Sequence, residues 1–118
     1  MNEKKVTAVK PFSRYRKVGD LIFVSGQGPL EQGKVVEGNL TERVRKTFEN
    51  ISEILKEENL SLKNVVNVNV YLEDLSKIEE FNEAYKSIVP APYPARTTVG
   101  SFLIKKGSEV EITVIAAK

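Results

Sequence analysis

In the segment Val89-Pro-Ala-Pro-Tyr-Pro-Ala-Arg96, proline stands at every second position and an arginine closes the run. The rings of Pro90, Pro92 and Pro94 fix φ and bias Val89, Ala91 and Tyr93 toward extended backbone, so the loop is stiff. One reading is architectural: the prolines stop a helix and begin a strand. The other is chemical. A rigid loop delivering one guanidinium at a strand start resembles a preorganised anion clamp, because Arg grips a carboxylate through two parallel hydrogen bonds at little entropic cost. Glu111 is the second candidate, a carboxylate inside the apolar run Val110-Glu-Ile-Thr-Val-Ile115. Such a group either handles a proton or orients a water, or it forms one half of a structural ion pair. The turn Ser25-Gly-Gln-Gly-Pro29 lets backbone amides approach a ligand. It has neither the G-x-G-x-x-G pattern nor the G-K-[ST] of a phosphate loop, which argues against a nucleotide site. Asn82, beside an apolar helical stripe, is either a boundary polar residue or a hydrogen-bonding group facing a pocket.

The absences narrow the chemistry further. The 118 residues include no His, no Cys and no Trp. That removes zinc fingers, Ser-His-Asp and thiolate nucleophile systems, haem and iron–sulfur ligation, and disulfide scaffolds. Chemistry must run on carboxylates, Lys, Arg, Tyr, hydroxyls and backbone amides. With 41% hydrophobic and 29% charged residues the chain has a globular composition, and its length suits one domain over residues 1–118. Eighteen Lys and Arg against sixteen Asp and Glu leave a formal charge of +2, too little for a broad field. The early cluster of Lys4, Lys5, Lys10, Arg14, Arg16 and Lys17 reads as a solvated arm or a charge-guarded edge strand, not as a nucleic-acid footprint. No stretch approaches the ~20 apolar residues that span a bilayer, and the N-terminus lacks an apolar signal region. A cytoplasmic protein is expected, without a membrane or nucleic-acid partner.

The elements that must position these residues follow from periodicity. Val6 to Val9 is a short strand candidate, and Asp20 to Gln27 is a β-branched and aromatic strand that stops at Gly26, Gly28 and Pro29. A turn at Glu31-Gln-Gly33 leads into a small strand at Lys34 to Val36. Asn39, with Glu42 three residues on, offers an N-cap, and Leu40, Val44, Phe48, Ile51 and Leu55 form the stripe of a helix that fades by Asn59. The alternation in Asn64 to Leu72 puts Val66, Val68, Val70 and Leu72 on one strand face. Ser76 with Glu79 repeats the capping pattern ahead of a second stripe, Ile78, Phe81, Tyr85 and Ile88, which must end before Pro90. Arg96 to Leu103 and Glu109 to Ala117, around a Lys-Lys-Gly turn, read as a terminal hairpin. The order β-β-(β)-α-β-α-β-β is an α+β layer structure with both helices on one sheet face. Leu21 and Phe23 oppose Ile22 and Val24, and Glu111, Thr113, Ile115 and Ala117 oppose Val110, Ile112 and Val114, so these strands are apolar on both sides. Self-association is the simplest cover for the second face.

Taken together, Pro11-Phe-Ser, Gly19-Asp-Leu-Ile-Phe-Val-Ser-Gly-Gln27, Val68-Asn-Val-Tyr-Leu-Glu-Asp-Leu75, Phe81-Asn-Glu-Ala-Tyr85, Tyr93-Pro-Ala-Arg-Thr-Thr-Val99 and Val110-Glu-Ile112 resemble the RidA/YjgF family in order and spacing, over nearly the whole chain. The resemblance implies a chorismate-mutase-like fold with a mixed sheet, and a homotrimer with ligand sites at the subunit interfaces. It also implies a 2-iminobutanoate/2-iminopropanoate deaminase-like hydrolase that converts 2-imino and 2-enamino acids to 2-oxo acids and ammonia without metal or cofactor. Position by position, Arg96 matches the family's carboxylate-binding arginine and Glu111 the glutamate that positions water. Gly26 and Asn82 match pocket-lining residues. Two substrate-facing positions depart from the usual pattern: Phe12 stands in place of a tyrosine and Thr98 in place of a frequent cysteine. Phe12 keeps the ring and loses a hydroxyl; Thr98 keeps a small side chain with a donor. Two other readings stand beside deamination. One is a non-catalytic trimer that senses small 2-oxo or imino carboxylates. The other is an RNA-binding translation inhibitor, for which a chain without histidine offers no nuclease constellation.

Overall fold

Leu40, Val44, Phe48, Ile51 and Leu55 recur at helical spacing, and in the computed structural model, which describes residues 9–118, all five are buried on α1 (Leu40–Lys56). Its first turn closes as expected. The Asn39 side chain accepts from the Glu42 amide, and the Glu42 carboxylate accepts from the Asn39 amide, each at 2.9 Å. Gly38, at φ +127°, lies so close to the Glu42 carboxylate that a side chain there would displace the cap. The second helix, α2 (Ile78–Ile88), buries Phe81, Ala84 and Tyr85 and leaves Ile78 and Ile88 half-buried at the core's margin. Its start differs from expectation. Asp74 accepts from both the amide and the hydroxyl of Ser76, at 3.0 and 2.7 Å, and so nucleates a 3₁₀ turn at Leu75–Lys77 that runs into α2. Ser76 is therefore engaged by a charged acceptor two residues upstream and does not cap the helix.

Five strands form the sheet beneath: β1 (Tyr15–Val18), β2 (Leu21–Gln27), β5 (Val65–Leu72), β6 (Ala95–Gly100) and β7 (Val110–Ala117), in the order β1-β2-β7-β5-β6. The two short strands β3 (Leu30–Glu31) and β4 (Lys34–Val35) make a separate hairpin. The Val6–Val9 strand lies outside the described residues apart from Val9, which is not in a strand. Of the basic cluster, Arg16 and Lys17 lie on edge strand β1, Lys10 and Arg14 precede it, and Lys4 and Lys5 lie outside the described residues. Arg14 and Lys17 pair with Glu57 and Glu58 beyond α1 at 2.6 and 3.3 Å, and the Tyr15 hydroxyl donates to Glu58 at 2.7 Å.

The terminal hairpin does not form. β7 pairs antiparallel with β2 on one side and β5 on the other, while among the described residues β6 pairs only with β5, and in parallel. The connection from β5 through α2 is a crossover that returns β6 parallel to β5. The nine residues from Ser101 to Glu109 then carry the chain across β5 instead of turning tightly. One phase correction also applies. A register irregularity between Val65 and Asn67 buries Val65 and leaves Val66 48% exposed, after which Val68, Val70 and Leu72 are buried as the alternation requires.

Helices cover the sheet face carrying Ile22, Val24, Val68, Val70, Ile112 and Val114. The opposite face presents Leu21, Phe23, Tyr71, Glu111 and Ile115, and no described residue roofs it. The long connection into β7 is pinned by acids. Glu73 accepts from the Gly107 and Glu109 amides at 3.3 and 3.0 Å, while Glu109 accepts from Arg43 at 2.7 Å and Lys77 at 2.8 Å. Burial pushes the Glu109 carboxyl up, but the hydrogen bonds and charges of Lys77 and Arg43 together outweigh it and hold its pKa below the ordinary 4.5. A depressed carboxyl pKa stabilises the fold above that ordinary value, and the contribution drains away as pH falls toward the folded-state pKa. Glu109→Gln is expected to cost about 1–2 kcal/mol near neutrality and to flatten this acid-side loss. Urea unfolding of both chains from pH 3 to pH 7 checks it; parallel stability curves would contradict it.

Candidate active site

Arg96 is the second residue of β6 and lies opposite Val68, so its side chain leaves the sheet on the helix-covered face. There the guanidinium meets α2. Its Nη2 donates to Asn82 Oδ1 at 2.7 Å, and its Cζ sits 5.2 Å from the Phe81 ring centre and 4.9 Å from that of Tyr85. Two rings and a neutral amide thus orient the cation, with cation–π attraction in place of a counter-ion. Among the described residues no carboxylate pairs with it. The cleft in front of it measures about 510 Å³ and is walled by Tyr85, Tyr93 and Pro94, with Glu79, Glu83 and Lys86 on its rim. Glu83 is occupied by Lys86 at 3.2 Å. Thr98, two residues farther along the same strand face, has a buried hydroxyl without a hydrogen-bond partner among the described residues.

Glu111 lies elsewhere. It faces Tyr71 across the β5–β7 ladder, on the sheet face that the helices leave open. A register irregularity between Val24 and Gln27 brings the Gly26 backbone against this carboxylate. A Cβ at Gly26 would collide with Glu111 Oε2, so a side chain there would displace the carboxylate. Phe12, 60% exposed, joins Gly26, Leu30, Ile104, Lys105 and Glu111 around a second cleft of about 440 Å³. Gly26→Ala should push the Glu111 carboxylate out of place, and if that carboxylate serves a reaction it should lower turnover about tenfold or more, since small displacements of a reacting group are costly. Comparing its kcat with wild type, at an unchanged melting temperature, checks this; full turnover would contradict it.

Within one chain, then, the six candidate residues make two groups. Arg96, Asn82 and Thr98 lie on one sheet face; Phe12, Gly26 and Glu111 lie around the other, with β5 between β6 and β7. Sequence reasoning treated Tyr85 as core stripe only and overlooked it as a cleft wall, along with Tyr93, Ile104 and Lys105. One signal was available for Tyr85: it follows Asn82 by three residues, hence on the same helix face.

Residues 2–118 match the family model described as Endoribonuclease L-PSP. Protein mmf2, mitochondrial, of Schizosaccharomyces pombe is 40% identical over 121 aligned positions, covering 100% of this chain and 96% of that protein. The crystal structure of RidA from an Antarctic Psychrobacter superposes with a TM-score of 0.85 at 36% identity, covering 95% of this chain and 92% of that one. Escherichia coli TdcF, solved with bound serine, gives a TM-score of 0.84 at 28% identity over 94% of this chain and 91% of that one. The two helices on a mixed sheet are accordingly the chorismate-mutase-like fold of these proteins. On a match that runs through almost every residue, the chain belongs to the Endoribonuclease L-PSP family, the family of YjgF and RidA.

Proposed function

We propose that this chain hydrolyses reactive 2-imino acids and their enamine tautomers to 2-oxo acids and ammonia, as a homotrimer whose sites lie between subunits. The observation that carries the reading is the state of Arg96. Its guanidinium is held by Asn82 and two rings, faces an open cleft, and among the described residues has no carboxylate partner. That leaves its charge for an incoming carboxylate. The serine of the TdcF structure, in a relative, carries the same carboxylate and α-nitrogen that such a substrate presents.

The chemistry needs little more. A protonated imine carbon is already electrophilic, so water adds to it once held in line. Glu111 takes a proton from that water and returns it to the nitrogen. As the carbinolamine collapses, its hydroxyl proton passes to Glu111 and the C–N bond breaks with its electron pair leaving on ammonia. The ketone remains, while ammonia departs with that proton as ammonium. Gly26 keeps the backbone close to the carboxylate, while Phe12 and Thr98 shape the substrate's surroundings. Because Arg96 and Glu111 lie on opposite sheet faces of one chain, a complete site takes them from two neighbouring copies, and that association covers the open apolar face. No metal or cofactor has a part in these steps. A reducing compartment, the cytoplasm, suits a chain without cysteine, although the fission-yeast relative is named for the mitochondrion.

The test couples a threonine dehydratase to this protein and follows the decay of the released imine. Accelerated decay with wild type and not with Arg96→Ala supports the proposal. Equal rates for the two proteins sink it, and saturable 2-oxobutyrate binding without acceleration selects the sensor reading instead.

A further inference from the structure

Tyr85 is only 5% exposed, and its hydroxyl has no hydrogen-bond partner among the described residues. The ring itself is well placed. It meets Phe48 edge-on at 5.8 Å and lies against Phe81 and Tyr93 at 5.8 and 6.3 Å. The oxygen is the unusual part, because a buried hydroxyl left unpaired is costly and is seldom retained without a use. Its surroundings explain why nothing among the described residues satisfies it. Arg96, whose guanidinium lies 4.9 Å from the Tyr85 ring centre, can only donate. The side-chain oxygen of Asn82 already accepts from Arg96. Burial pushes the phenol's pKa above its ordinary value of 10.0, and the opposing charge of Arg96 is the smaller influence. The hydroxyl therefore carries its proton throughout the neutral range, as a donor with no acceptor.

Thr98 repeats the pattern on β6, with a second buried and unpaired hydroxyl two residues beyond Arg96. Around Arg96, inside the rim of Glu79, Glu83 and Lys86, the helix-side half of the site thus buries two unpaired hydroxyls, and the Asn82 carbonyl is taken. What completes such a set is a group of acceptors bearing negative charge.

We propose that Tyr85 is a specificity-determining residue of this site, its hydroxyl donating to the carboxylate that Arg96 binds. The inference rests on the assignment of Arg96 as the carboxylate anchor. Aromatic walls and an extra donor then favour a 2-imino or 2-oxo acid over a neutral analogue of the same shape, whose amide or ester presents weaker acceptors. The hydroxyl does no chemistry on the α-carbon; it adds to binding.

Tyr85→Phe keeps the ring and removes only the oxygen. Calorimetric titration of wild type, Tyr85→Phe and Arg96→Ala with 2-oxobutyrate, alongside ligand-free thermal unfolding of each, tests the proposal. The expected result is about tenfold weaker binding by Tyr85→Phe, the scale of one hydrogen bond to a charged group, with the ligand-free melting temperature unchanged or higher because an idle buried donor has gone. In turnover, KM should rise by a similar factor while kcat stays within about threefold. Undiminished binding by Tyr85→Phe, with Arg96→Ala impaired, overturns this proposal and leaves the carboxylate anchor standing. A lowered melting temperature also overturns it, since the hydroxyl would then be bonded within the folded assembly. Absence of binding by wild type, or equal binding by Arg96→Ala, removes the anchor and this inference with it.

Discussion

Replacing Arg96 with alanine is expected to lower kcat/KM for a 2-imino acid about a hundredfold or more and to abolish saturable 2-oxobutyrate binding. Truncating one member of a desolvated, hydrogen-bonded charge pair costs about 2–5 kcal/mol, which corresponds to roughly 30-fold to several thousandfold in affinity. The upper half of that range applies here because the guanidinium is oriented before any ligand arrives. Asn82 takes Nη2 at 2.7 Å, and Phe81 and Tyr85 hold the plane, so binding spends little entropy on the side chain. Arg96→Lys separates charge from geometry. A lysine keeps the positive charge and loses both the two-pronged grip and the flat stacking surface, so it should recover only a minor part of the loss. Initial rates of imine decay for the three proteins, with circular dichroism to show intact folding, decide the matter. Near-normal activity of Arg96→Ala would remove the carboxylate anchor from the mechanism.

Glu111→Gln should lower kcat by about 10²- to 10⁴-fold, the span of general acid–base catalysis, with little change in KM because the carboxylate anchor is untouched. The two lesions together give a sharper test of where the site is built. Arg96 leaves the sheet beside α2, whereas Glu111 stands on the face without helices. On the proposed assembly, each site would draw its arginine from one copy and its glutamate from the neighbour. Refolding an equal mixture of Arg96→Ala and Glu111→Gln chains together makes each group intact in half of the positions. Roughly one quarter of the sites then hold both, and about a quarter of wild-type activity returns. If arginine and glutamate of the same chain shared one site, no mixed assembly would contain a complete pair. Activity would then stay at the level of the two parents.

Much of the molecule was legible because its signals are local. The stripe from Leu40 to Leu55, with the Asn39–Glu42 cap, needs only the 3.6-residue period and one turn of backbone hydrogen bonding. The alternation after Asn64 needs only the two-residue period of a strand. The same holds for the prominence of Arg96 behind three prolines and of Glu111 in an apolar strand. Locality also set the limits. Asp74 accepts from the amide and hydroxyl of Ser76, which therefore does not cap α2, and an irregularity opposite β7 turned Val66 outward. Neither is visible in a period.

The residues and their order determined by themselves which segments are helices and strands, which face of each is apolar, and which side chains are candidates for chemistry, since all of these depend on neighbours within a few positions. Strand partners are chosen across the chain, and only the tertiary structure decided them: β7 lies between β2 and β5, and β6 takes the far edge. That choice sets the parity by which Arg96 faces the helices beside Val68 while Glu111 faces away beside Tyr71. Because the side-chain period of a strand is two, a one-residue change of register would have put either group on the opposite face. The division of the candidate site between two faces is thus a property of pairing, which no local pattern encodes.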